Sequence, residues 1–239
     1  MTRPAFFGAC VTVLLSLSAG TSALAQDAST VGEFWPELSA RYQWPSSLSQ
    51  TAYTQIKNEE GYPTRQWNIG TDLSYLAKQI SRPHLVNVDP SKEHAHEIGV
   101  GYEYLDTQGS NSPKYENRLK AEATGRHRPS GAILLEDRNL FEFRWVNGVY
   151  SSRYRNRLRV EVDVRHNAFR YTPYVSAEVF YDWAKDSWNE EQYSIGIQWP
   201  YRRTWVLDTY YLRQNCTTCD TAHLNVAGVS LGFFFGTRR

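Results

Sequence analysis

Residues 153–165 read Arg153-Tyr154-Arg155-Asn156-Arg157-Leu158-Arg159-Val160-Glu161-Val162-Asp163-Val164-Arg165. In a β-strand successive side chains point to opposite faces, so this stretch splits into two surfaces. One is Tyr154, Asn156, Leu158, Val160, Val162 and Val164. The other is Arg153, Arg155, Arg157, Arg159, Glu161, Asp163 and Arg165. A strand apolar on one side and ionic on the other divides a greasy phase from an aqueous or salt-bridged one, and the rest of the chain points to lipid as the greasy phase.

Outward from this stretch the same alternation recurs in segments of roughly ten to fifteen residues separated by turn signals, and no stretch shows helical periodicity. On the N-terminal side, joined through Asn147-Gly148, Ile133 to Trp145 sets Phe141, Phe143 and Trp145 against Arg138, Glu142 and Arg144. On the C-terminal side, Thr172 to Trp183 sets Val175, Ala177, Val179 and Tyr181 against Tyr174, Ser176, Glu178, Phe180 and Asp182. Lys114 to Thr124 opposes Tyr115, Leu119 and Ala121 to Glu116, Arg118, Lys120 and Glu122. His96 to Leu105 opposes Ile98, Val100, Tyr102 and Tyr104 to Glu97, Gly99, Gly101 and Glu103, where the glycines leave lumenal room for long neighbours. Glu37–Trp44, Leu48–Lys57, Arg65–Lys78, Glu190–Trp199, Thr204–Gln214 and His223–Phe235 complete the series, and residues 80–95, with Pro83 and Pro90, read as a longer connection.

The expected fold is therefore all-β, a transmembrane antiparallel up-and-down barrel. The count is about eleven segments, but bacterial single-chain barrels use even numbers. Ten strands are expected if Glu37–Trp44 does not span, twelve if the 80–95 connection hides a strand. The short turns near 45–47, 126–131, 167–171 and 200–202 fall on one rim, and the loops at 107–113, 184–189 and 215–222 on the other.

The N-terminal segment carries Arg3, an apolar run from Ala5 through Leu17, and Ala23-Leu24-Ala25, a small-x-small cleavage pattern. Residues 1–25 thus read as a signal peptide and 26–239 as a single barrel domain at the outer membrane. Cys10 lies inside the discarded segment. Beyond it no apolar run of 18 or more residues occurs, which excludes a helical span but not a barrel. With 8 Trp and 16 Tyr in a chain of mean hydropathy −0.56, the composition is polar on average and rich in rings suited to membrane interfaces. A net charge of +1 argues against a nucleic-acid binder. No cofactor is expected.

Arg138-Asn139-Leu140-Phe141-Glu142-Phe143-Arg144, Tyr154-Arg155-Asn156-Arg157-Leu158, Pro173 to Asp182 and Asp208-Thr209-Tyr210-Tyr211-Leu212-Arg213-Gln214 resemble the domain-of-unknown-function family numbered 2490. The likeness covers roughly 33–235. It implies an outer-membrane barrel of the Gram-negative envelope, with no reaction and no catalytic residue to carry over. The last strand, with Ala227, Val229, Leu231, Phe233 and Phe235 at alternate positions, also resembles the signal read by the barrel assembly machinery, although Gly236-Thr237-Arg238-Arg239 follow it.

The inward charges allow two readings. Arg144, Arg155, Arg157 and Arg159 can pair with Glu142, Glu161, Glu178, Asp182 and Asp208 as a structural network filling the lumen. Alternatively they line a narrow pore that draws anionic solutes. Cys216 and Cys219 read as a small loop disulfide in an exported protein, with a metal site short of ligands beyond His223, or free thiols, as the other options. His94-x-His96 reads as a solvated loop. A hydrolase would need Ser176, Glu178 and His166 together, which no spacing places within reach. The expected role is a narrow pore or structural envelope protein whose partners are outer-membrane lipid, the assembly machinery and small anionic solutes. A lipid-modifying or hydrolytic barrel enzyme and a soluble periplasmic protein that binds a hydrophobic ligand are the competing readings.

Overall fold

The computed structural model describes residues 30–59, 65–80, 88–108, 114–167, 169–201, 204–219 and 221–236. The proposed signal peptide lies outside the described residues. The strands are β1 (Thr30–Gln43), β2 (Leu48–Glu59), β3 (Arg65–Gln79), β4 (His94–Gln108), β5 (Lys114–His127), β6 (Ile133–Val146) and β7 (Val149–Val162). A three-residue continuation, β8 (Val164–His166), precedes β9 (Phe169–Asp182), β10 (Ser187–Tyr201), β11 (Trp205–Cys216) and β12 (His223–Gly236). The stretch 153–165 is thus one long strand broken at Asp163, whose carboxylate takes the Thr172 hydroxyl.

Eleven long strands close one barrel. Neighbours pair antiparallel around the ring, with β7 against β9, and the ring is shut by β1 against β12 in parallel, from Thr30↔His223 to Gln43↔Gly236. An odd number of up-and-down strands leaves the first and last running the same way, so their pairing has to be parallel. The expectation of an even count therefore fails on both of its routes. Glu37–Trp44 belongs to a full strand, and the described part of the 80–95 connection holds a single 3-10 turn, Pro90–Glu93.

Local rules account for the hairpins. Asn147 and Gly148 form a two-residue turn between β6 and β7 with φ of 49° and 83°, the left-handed pair that a twisted hairpin demands. Across strand pairs, Tyr53 covers Gly70, Tyr174 covers Gly196 and Tyr210 covers Gly228, each in direct register, so that a β-carbon at any of these glycines would strike a ring. At Gly101 the vacated space is filled by the Asp72–Lys120 ion pair, 2.7 Å.

The distribution of polarity is inverted relative to a soluble core. Ile98, Val100 and Ile195 on the outer wall are 63%, 61% and 60% exposed, whereas Glu142, Glu161 and Glu97 inside are 1%, 2% and 3% exposed. Aromatic rings gather at the two rims of this apolar wall. Trp145–Tyr150, Tyr181–Trp183 and Tyr181–Trp188 mark the rim where β1 begins, here the top. Tyr42–Trp44, Tyr171–Trp199 and Tyr201–Trp205 mark the opposite rim, the bottom.

Candidate functional site

Because the strand period turns alternate residues inward, β4 to β9 deliver their charged rows into the lumen, and the register decides who meets whom. Glu142 on β6 sits among three guanidiniums, Arg153 at 2.6 Å, Arg155 at 3.1 Å and Arg118 at 3.3 Å. Arg118 also reaches Glu103 and Glu116, and Arg144 reaches Glu116 at 2.6 Å. Glu178 is shared by Arg138 and Arg155, both at 2.9 Å, and Glu136 by Arg126 and Arg157. Charge-assisted bonds of this kind satisfy groups whose unpaired burial would be prohibitive.

The expected pairings are met unevenly. Glu142, Glu161 and Glu178 hold Arg155 and Arg159 as written above, but Arg157 is held by Glu136 and Arg144 by Glu116. Asp182 stays out of the network. Its carboxylate caps the β9–β10 turn, accepting the Ala184 amide at 2.9 Å, because it lies at the rim rather than in the row. Asp208 takes the Tyr174 hydroxyl and the Gln198 amide, with Arg159 only at 4.0 Å. Glu103, Glu116, Glu136, Arg118 and Arg126 join the network beyond the expected set, and they stand in the same inward rows. Residue period shows the face; it does not show the cross-strand partner.

The described end of the β3–β4 connection, residues 88–93, enters the lumen from the bottom. The Lys92 ammonium binds Glu161 at 2.6 Å and the Gln198 amide oxygen at 3.0 Å, Arg126 donates to the Ser91 carbonyl, and Asp89 pairs with Arg41 at 3.4 Å. Ser91 and Lys92 are almost fully buried. Burial works to raise the Asp89 carboxyl, and the Arg41, Lys92 and Arg126 cations with the Ser91 amide outweigh it, holding it below the usual carboxylate range. For Lys92 burial prevails and lowers the ammonium, with Glu161 opposing.

Among the described residues, two cavities lie inside the barrel. One of about 240 Å³ lies beside this connection, and one of about 590 Å³ fills the lumen toward the top. Asp72, Lys120, Glu122, Arg138, Arg157 and Arg159 line both and form the waist between them. The larger cavity is lined by nine cationic and nine carboxylate side chains, so its wall carries no excess of either sign. At the waist the Nε atoms of Arg138 and Arg157 are buried without a hydrogen-bond partner, and Arg159 Nε approaches Glu161 at 2.7 Å without aiming its hydrogen there.

The other sequence candidates are dispersed. Cys216 and Cys219 form a disulfide with Cα atoms 5.5 Å apart at the top rim. Ser176 is lumenal and hydrogen-bonded to Ser194 at 2.7 Å, while His166 is exposed on β8 at the bottom, paired with Phe169, so the two do not form a nucleophile–base pair. His96 is exposed on the outer wall, and His94 contacts the Pro90 carbonyl.

Fold and lumen together define a closed, eleven-stranded β-barrel with an ion-paired interior. The family described as "Protein of unknown function (DUF2490)" matches residues 32–223. The chain belongs to that family. No curated protein matches it.

Proposed function

We propose that the protein is an integral outer-membrane barrel whose lumen is a vestibule stopped at the bottom, serving the envelope as a structural or binding element rather than as an open channel. The inverted distribution of polarity carries this reading, since a wall of exposed Ile, Leu, Val and Phe around a charged interior suits hydrocarbon outside and suits water badly. The rim aromatics support it, as do the closed hydrogen-bond ladder and the weakly polar exterior. The stop is supported by Lys92 and Asp89, which tie the β3–β4 connection to Glu161 and Arg41.

A membrane barrel stays with the membrane through carbonate and high-salt extraction and shifts its gel migration on heating; release without detergent contradicts the location. In planar bilayers the native protein passes no steady current, and Lys92→Ala, which frees the connection from Glu161 and Gln198, produces openings. Steady conductance from the native protein would overturn the stopped vestibule and favour an anion-selective pore at the Arg138, Arg157 and Arg159 waist.

A further inference from the structure

The ionic network leaves one lumenal region unexplained. Near the top, Trp35, Leu212, Leu224 and Val226 form a buried apolar cluster with Val31 and Tyr210 against it, on the wall of the larger cavity opposite the arginine-rich strands. The Lys57 ammonium lies 4.0 Å above the Trp35 ring. Among the described residues it is the cation of the two cavities that has no carboxylate within ion-pair distance. Its charged surroundings are Glu33, Glu103, Glu190 and Arg118, and these carboxylates are engaged elsewhere. Glu33 takes the Trp35 indole N–H, Glu103 holds Arg118 and the Asn68 amide, and Glu190 faces Arg153.

We propose that Lys57 and the Trp35–Leu212 surface form a binding site for an amphiphilic anion, a molecule with one carboxylate head and a short acyl body. The larger cavity is lined by Lys57, Trp35, Tyr210 and Leu212 together, and its 590 Å³ falls within the range of small-molecule sites, about 300–1,000 Å³. The head meets the unpaired ammonium, and the acyl chain covers the apolar surface. Neither half of the site serves the ion-pair network: Lys57 neutralises no carboxylate, and the apolar cluster meets its charge only through the face of the Trp35 ring. A purely structural stack of lysine on indole would need no ligand, and the experiment separates the two.

The inference deepens the vestibule reading and rests on it. The full chain is placed in phosphatidylcholine nanodiscs and titrated calorimetrically with octanoate, against empty nanodiscs as the partition control, with acetate and octanol as half-ligands. Octanoate binds saturably at one site, and acetate and octanol bind at least about tenfold more weakly, a difference of about 1.4 kcal/mol. Lys57→Gln, which breaks no ion pair, and Leu212→Gln, which spoils the apolar floor and keeps the charge, each weaken octanoate by a similar factor, while Lys57→Arg retains it. Binding no greater than to empty nanodiscs, equal binding of a half-ligand, or unchanged affinity in Lys57→Gln would overturn the site. A chain that stays out of nanodiscs sinks the membrane reading instead, and the same titration is then judged by the same criteria on the soluble barrel.

Discussion

The lumen has two walls built by one strand period, and they are chemically unlike. From β4 to β9 the inward rows are Arg and Glu in multidentate contact, as around Glu142. From β10 through β12 to β2, amides, hydroxyls, tyrosines and the Trp35–Leu212 cluster predominate over scattered charges such as Glu37 and Asp208, as in Gln192 on Gln214, Ser194 on Ser176, Ser230 on Glu37, and the Tyr–Gly pairs. The first wall is held by charges that must all be matched at once. The second is held more by fit and by neutral hydrogen bonds. Strand periodicity thus sets which residues face inward, while the choice between matched charge and matched shape is made by register.

The sharpest way to break this comparison is Glu142→Gln, which strips the charge from an acid in contact with three guanidiniums. The expected loss is roughly 3–5 kcal/mol, the range for breaking a buried pair, read as a lower urea midpoint for loss of the heat-modifiable gel form. Gln214→Ala on the other wall should lose no more than about 1 kcal/mol, the usual worth of a neutral hydrogen bond; equal losses would mean that the walls do not differ in kind. Next in size, Gly228→Val forces a branched side chain under the Tyr210 ring and should lose about 1–3 kcal/mol by overpacking. An unchanged midpoint would show that fit does not hold the second wall.

The smallest effect is acid release of the β3–β4 connection. Asp89 is held below its usual range, so its contribution is fully present above the unfolded value, about 3.9, and is lost as pH falls through the lower folded value. Currents in bilayers should stay shut from pH 7 to about 5 and appear only below about 3.9. Openings already near neutrality would assign the anchoring to another group.

Much of this architecture is legible before any coordinates. The alternation around Phe141 and Leu158, repeated along the chain, reports about eleven β segments and their inward and outward faces, Asn147-Gly148 reports its hairpin, and Gly101 reports space for a neighbour. The general rule of even strand numbers points away from eleven, and the parallel β1–β12 seam evades that rule. The partners of Arg157 and Arg144 were not legible, because a shift of two residues between strands preserves the inward face and replaces every ion pair. The insertion of residues 88–93 is hidden for a different reason: residues 80–95 read as a longer connection, and only the lumenal charges of distant strands, Arg41 and Glu161, make burial of Asp89 and Lys92 favourable.

The parallel seam also decides sidedness. In an even-numbered barrel the first strand starts and the last strand stops on the same rim, but here Thr30 stands at the top and Gly236 at the bottom. Embedded in a bilayer, such a barrel delivers whatever precedes β1 to one compartment and whatever follows β12 to the other, so the polypeptide is threaded across the membrane from end to end as well as wrapped within it.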